Sequence, residues 1–163
     1  ISLFLGQEIF NISTDGCIAQ GLEVPPFTLE TKKLLKGLLG TAGTILRNPL
    51  DMGSRVQENT LEILIETLDI VSRDPSVDVI MIEMPSAILH GFFSINALEA
   101  ILDILVDFNK SYRQPLIIIS HPEMAETERD ADVKKFAEAG IPTYPNVARA
   151  ARALANVRCY FER

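Results

Sequence analysis

Three short stretches carry the side chains whose types and spacing suit chemistry. The densest is Arg47-Asn48-Pro49-Leu50-Asp51-Met52-Gly53. A proline pushes the residue before it toward extended geometry, so Asn48 cannot be helical. Asp51 and Gly53 continue the turn and can aim polar groups outward. Asn48, Pro49, Asp51 and Gly53 are therefore candidates for a fixed polar rim that orients a partner loop or a phosphate-bearing ligand. The same Asn and Asp side chains can instead bond their own backbone, as in ordinary turns. The second stretch, Gly6-Gln7-Glu8-Ile9-Phe10, closes the first apolar run. A glycine there lets backbone N–H groups approach an anion. The carboxylate of Glu8 works against phosphate. The third is Ser120-His121-Pro122-Glu123. His121 and His90, in Leu89-His90-Gly91, are the 2 histidines of the chain.

Several chemistries are excluded. His121-Pro122-Glu123 mimics the start of a zinc deaminase motif, but that site needs a Pro-Cys-x-x-Cys partner. Cys17 and Cys159 stand far apart and cannot supply it. There is no Walker loop, Gly-x-Gly-x-x-Gly, His-Glu-x-x-His or Gly-x-Ser-x-Gly run. Receiver-type acid clusters are missing after the first and third strand-like runs. Arg149, Arg152 and Arg158 form a mild basic face, explained by solvation and helix C-terminal charge.

The elements that must position these residues alternate. Strand-like runs are expected at 1–5, 44–46, 77–83 (VDVIMIE), 116–120 (LIIIS) and 141–144. Helical patterns fall at 9–20, 28–39, 56–73, 94–111, 127–139 and 146 to about 156. Thr28, Ser94 and Asn146 are good N-caps. Gly21, Gly40 and Gly140 stand past helix ends. Continuous apolar strands between helices mean a mostly parallel sheet covered on both faces. The expected architecture is α/β: a doubly wound, five-stranded, flavodoxin-like three-layer sandwich. Ligands of such sheets bind beyond the carboxyl ends of the strands. Five loops are expected there: 6–10, 47–53, 84–91, 120–123 and 144–146.

At 163 residues the chain suits one compact domain, 1–163. A net charge of −7 argues against nucleic acid. No apolar run approaches the length of a membrane span. Two distant thiols fit a reducing cytoplasm rather than a disulfide framework. The chain starts at Ile1 inside a strand-like run, so it is expected to be a piece of a longer protein whose remainder lies upstream.

Gly21-Leu22-Glu23-Val24-Pro25-Pro26-Phe27-Thr28-Leu29-Glu30-Thr31, followed by the Arg47–Gly53 stretch, resembles the C-terminal flavodoxin-like domain of the NDP-forming acyl-CoA synthetases. These ADP-forming acetate–CoA ligases are relatives of succinyl-CoA synthetase. Asp74-Pro75-Ser76-Val77-Asp78 resembles the family's entry to a strand. Ala139-Gly140-Ile141-Pro142-Thr143-Tyr144 and the run 148–154 resemble its closing segment. Asp15 fits the family's helical Asp. Relatives place several glycines in the first loop, where this chain keeps Gly6 alone.

The resemblance implies a parent enzyme that makes acyl-CoA from a carboxylic acid, CoA and an NTP, through an acyl phosphate and a phosphohistidine. Neither His90 nor His121 matches the family's Ser-His-Thr-Gly segment, so neither inherits that role. The resemblance implies no cofactor in this domain. It implies CoA, ATP or GTP and magnesium in the parent, with an upstream CoA-binding domain, an ATP-grasp domain or subunit, and a homo-oligomer. By itself the chain is expected to be inactive, helping to shape the phosphohistidine site and domain interfaces. The alternative is a non-catalytic scaffold or binding module that kept the fold.

Overall fold

The computed structural model describes residues 2–4, 10–41, 45–52, 60–84, 94–122 and 126–162. Strands are β1 (Ser2–Phe4), β2 (Ile45–Leu46), β3 (Leu50–Asp51), β4 (Ile80–Glu83), β5 (Leu116–Ile119) and β6 (Thr143–Tyr144). Helices are α1 (Phe10–Ile18), α2 (Leu29–Leu39), α3 (Thr60–Ser72), α4 (Ile95–Ser111), α5 (Glu126–Glu138) and α6 (Val147–Phe161).

Local chemistry explains most of these boundaries. Thr28 holds extended geometry and accepts a hydrogen bond from the Thr31 N–H at 3.2 Å, starting α2. Gly40 ends α2 with φ of 70°, a backbone region that suits glycine. Ser94 caps α4, and Asn146 caps α6. Helix α6 runs to Phe161, past the expected end near residue 156. Arg152, Ala153, Leu154 and Ala155 are good helix formers, and neither glycine nor proline follows them.

The sheet has 6 strands in the order β2-β3-β1-β4-β5-β6. Strands β3, β1, β4, β5 and β6 are mutually parallel neighbours. Numbered along the chain, those parallel strands lie in the order 2-1-3-4-5, the flavodoxin-like winding. Strand β2 adds an antiparallel edge, with Leu46 opposite Leu50. The segment 44–46 was expected to be the second of five parallel strands. Residues 45–46 instead form a sixth, antiparallel strand, and Leu50–Asp51 takes the second parallel place. The physical reason is connection length. A turn as short as 47–49 can only return the chain antiparallel, whereas a parallel partner needs a long crossover.

Strands β4 and β5 are buried at every position, which is why they read as unbroken apolar runs. One sheet face packs Leu50, Ile80, Ile82, Leu116 and Ile118 against Leu35, Leu68, Leu105 and Phe136 of α2, α3, α4 and α5. The other packs Met81, Ile117 and Ile119 against Cys17 of α1 and Val147, Ala150 and Ala151 of α6. Among the described residues no helix is long and apolar enough to cross a membrane.

A polar staple joins distant segments. Asp74, 1% exposed, follows α3. It accepts from the Thr28 N–H at 2.9 Å, the Thr28 hydroxyl at 3.1 Å, the Ser76 N–H at 2.9 Å and the Ser76 hydroxyl at 2.6 Å. Burial opposes its ionisation. The donors from Ser76, Thr31 and Thr28 outweigh that and hold the carboxyl well below the usual carboxylate range.

Candidate functional site at the carboxyl ends of the strands

In the register of the sheet, Phe4 lies beside Asp51 on one side and beside Glu83 on the other, and Glu83 lies beside Ile119. Residues paired in this way share a sheet face. Asp51 and Glu83 therefore flank the end of β1 on the face covered by α1 and α6. Two strand spacings, roughly 10 Å, separate their backbones. Asp51 is 1% exposed and Glu83 is 2% exposed. The alternation within β4 explains the placement of Glu83. Ile80 and Ile82 enter the larger cluster, while Met81 and Glu83 point the opposite way.

Two residues past Ile119, His121 returns to the same face. Its Nε2 lies 3.7 Å from Glu83 Oε2, with side-chain exposures of 18% and 3%. Arg129 of α5 donates from Nε to the Ser120 carbonyl at 3.1 Å. The Ser120 hydroxyl is buried and has no hydrogen-bond partner among the described residues. On the same face, burial pushes the Cys17 thiol up, and the Glu83 charge adds to the effect. This acidic rim with one imidazole lies where β1 meets β4, the point at which the strand order reverses. Doubly wound sheets bind their ligands at that point.

The sequence-derived candidates are divided by the structure. Strand β3 runs parallel to β1, with Leu50 beside Leu3 and Asp51 beside Phe4. Arg47, Asn48 and Pro49 precede Leu50, so their turn lies at the amino-terminal edge. The loop 47–53 was expected at the carboxyl edge of the parallel strands; residues 47–49 leave antiparallel β2 and lie at the opposite edge. Asn48 is buried and donates from Nδ2 to the Pro25 carbonyl at 2.9 Å. Its peptide to Pro49 is cis. Pro49 is buried. Of Asn48, Pro49 and Asp51, only Asp51 reaches the carboxyl edge. Gly6 and Gly53 lie outside the described residues, as do Glu8, His90, Glu123 and most of the expected loops 6–10 and 84–91.

Sequence reasoning noted His121 at a strand end, and the structure puts it there. It passed over Glu83. The available signal was an acid closing the apolar run VDVIMIE, two positions after Met81 and so on the same face. A groove of about 410 Å³ opens at the opposite edge, beside Leu22, Pro25, Leu154 and Arg158. Arg158 donates there to the Gly21 carbonyl at 2.9 Å. Among the described residues no group of three or more His, Cys, Asp or Glu side chains is placed to hold a metal ion.

Fold and rim together define a doubly wound, flavodoxin-like α/β domain with its polar cluster at the switch point. No protein-family model matches the sequence, and no curated protein matches it. Solved structures do share the fold. PH0766 from Pyrococcus horikoshii OT3 aligns with a TM-score of 0.74 and 19% identity, over 94% of this chain and 34% of its own. The dinucleotide-forming acetyl-coenzyme A synthetase 1 of Ca. Korarchaeum cryptofilum aligns with a TM-score of 0.72 and 16% identity, over 99% of this chain and 33% of its own. The chain thus spans about a third of the length of each. At these identities the likeness shows the fold.

Proposed function

We propose that this chain is the C-terminal flavodoxin-like domain of an NDP-forming acyl-CoA synthetase. The parent would convert a carboxylic acid, CoA and an NTP into acyl-CoA, NDP and phosphate. The observation that carries the reading is the near-complete overlap of this fold with a third of an acetyl-coenzyme A synthetase. The ordered matches at 21–31, 47–53, 74–78 and 139–154 support it.

Within the parent, this domain would help to shape the phosphohistidine site, with Asp51 at the rim and Asn48 and Pro49 bracing the strand that carries it. On the resemblance alone, Gly6 and Gly53 are proposed binding residues. Partners would be an upstream CoA-binding domain, an ATP-grasp domain or subunit, and a second copy of the enzyme. The compartment would be the cytoplasm. The donor set of the rim does not fit a nucleotide. The buried carboxyls of Asp51 and Glu83 are acceptors rather than donors and supply no grip on a polyphosphate. CoA, ATP or GTP and magnesium would therefore be held by other parts of the parent.

The test is acyl-CoA formation by the parent enzyme from a panel of carboxylic acids with CoA, magnesium and ATP or GTP. Asp51→Asn should lower kcat/KM at least tenfold, about 1.4 kcal/mol of transition-state stabilisation, with a smaller proportional loss in Tm. Full activity in Asp51→Asn would remove Asp51 from the site. No CoA-dependent turnover with any acid would leave the second reading, a scaffold that kept the fold. The two buried acids favour that reading, as does Glu8 in the first loop.

A further inference from the structure

We propose that Glu83 and His121 form a proton-operated latch across the carboxyl ends of β4 and β5. The inference is independent of the ligase reading. The two strands are parallel neighbours in register through Glu83 and Ile119. His121 follows two residues later on the same face and meets Glu83 at 3.7 Å. That separation exceeds the 2.7–3.2 Å typical of an N–H···O hydrogen bond. The contact is therefore chiefly Coulombic, and its strength depends on the charge of the imidazole. With Glu83 only 3% exposed, water and salt screen the attraction little.

Other charged and titratable groups surround the pair. From β3, Asp51 faces the same side of the sheet at roughly twice the strand spacing. From α5, Arg129 sits against the Ser120 carbonyl and within 3.4 Å of Asp130. From α1, Cys17 senses Glu83. From β6, Tyr144 lies beside Ile119. Arg129 disfavours an imidazolium, and Asp51 favours it. Among the described residues Glu83 is the carboxylate placed nearest by the pair geometry. Coulomb energy falls with distance, so Glu83 sets the balance.

The sign follows. A histidine that gains an acidic partner on folding binds its proton more tightly in the folded chain. The latch is fully closed below the ordinary imidazole value of about 6.5 and is lost as pH rises through the folded midpoint. Closing it joins the ends of β4 and β5 and removes one unit of net negative charge from the rim.

The chain has 2 histidines, so His90→Gln leaves one imidazole for NMR titration. In that background the His121 ring should titrate roughly one pH unit higher than in His90→Gln/Glu83→Gln. Denaturation provides the second measurement. His121→Asn should cost stability at pH 6 and little at pH 8.5. Equal ring midpoints with and without Glu83 would overturn the latch. So would a His121→Asn penalty of the same size at both pH values. If Glu83→Gln fails to fold, the pH dependence of the His121→Asn penalty decides alone.

Discussion

Replacing Asp74 with asparagine should produce a large stability loss whose pH dependence reports on a single carboxylate. In the folded chain this carboxylate accepts four hydrogen bonds between 2.6 and 3.1 Å from Thr28 and Ser76, and it is 1% exposed. Hydrogen bonds to charged groups contribute about 1.5–3 kcal/mol each and are not additive. An amide can accept at one oxygen but turns an N–H₂ toward donors at the other position. A net cost of about 3–4 kcal/mol follows, within the range for breaking a buried network.

For a domain of this length each kcal/mol moves Tm by roughly 2–4 °C, so the variant should melt about 10 °C lower. The carboxyl is depressed in the folded state and ionises near 3.9 when unfolded. Its stabilisation is therefore present in full above about pH 5. It is lost as pH falls below 4 toward the folded value. Urea denaturation followed by circular dichroism at pH 7, 5 and 3.5 reads this directly. The gap between wild type and variant should be constant from pH 7 to 5 and narrower at 3.5. A gap under about 1 kcal/mol at pH 7, or one that does not shrink in acid, refutes the reasoning.

Leu105→Ala removes a side chain that is 1% exposed in the larger core and should cost about 3 kcal/mol in urea denaturation. Leu29→Ser, at a position 86% exposed, should stay within about 0.5 kcal/mol, and a similar cost for both would contradict the burial of Leu105 in the core. Asn48→Ala loses the bond to the Pro25 carbonyl and should cost about 1–2 kcal/mol while leaving parent acyl-CoA formation intact. A large activity loss at unchanged stability would return Asn48 to the site. Cys159 is exposed, whereas Cys17 is buried with its thiol pushed up, so Ellman's reagent at pH 8 should modify one thiol quickly and the other only in denaturant. Equal rates in the folded chain would mean that Cys17 is not buried between α1 and the sheet.

The linear pattern determined whatever depends on near neighbours. Unbroken apolar runs marked β4 and β5 because both faces of a parallel sheet are covered. Thr28, Ser94 and Asn146 announced their helices because a cap acts over three residues. The α/β class with a mostly parallel sheet followed from the repeated β–α pattern. Tertiary structure alone decided the rest.

Leu50–Asp51 is a two-residue strand, too short for any periodicity, and only its pairing with β1 reveals it. That pairing carries Asn48 and Pro49 to the amino-terminal edge and leaves Asp51 at the carboxyl edge. Glu83 and His121 are 38 positions apart in the chain and become neighbours through the register of β4 and β5. Asp74 reaches Thr28 across 46 positions. Such contacts depend on how strands align and helices dock, and the alternation of residue types along the chain does not encode that alignment.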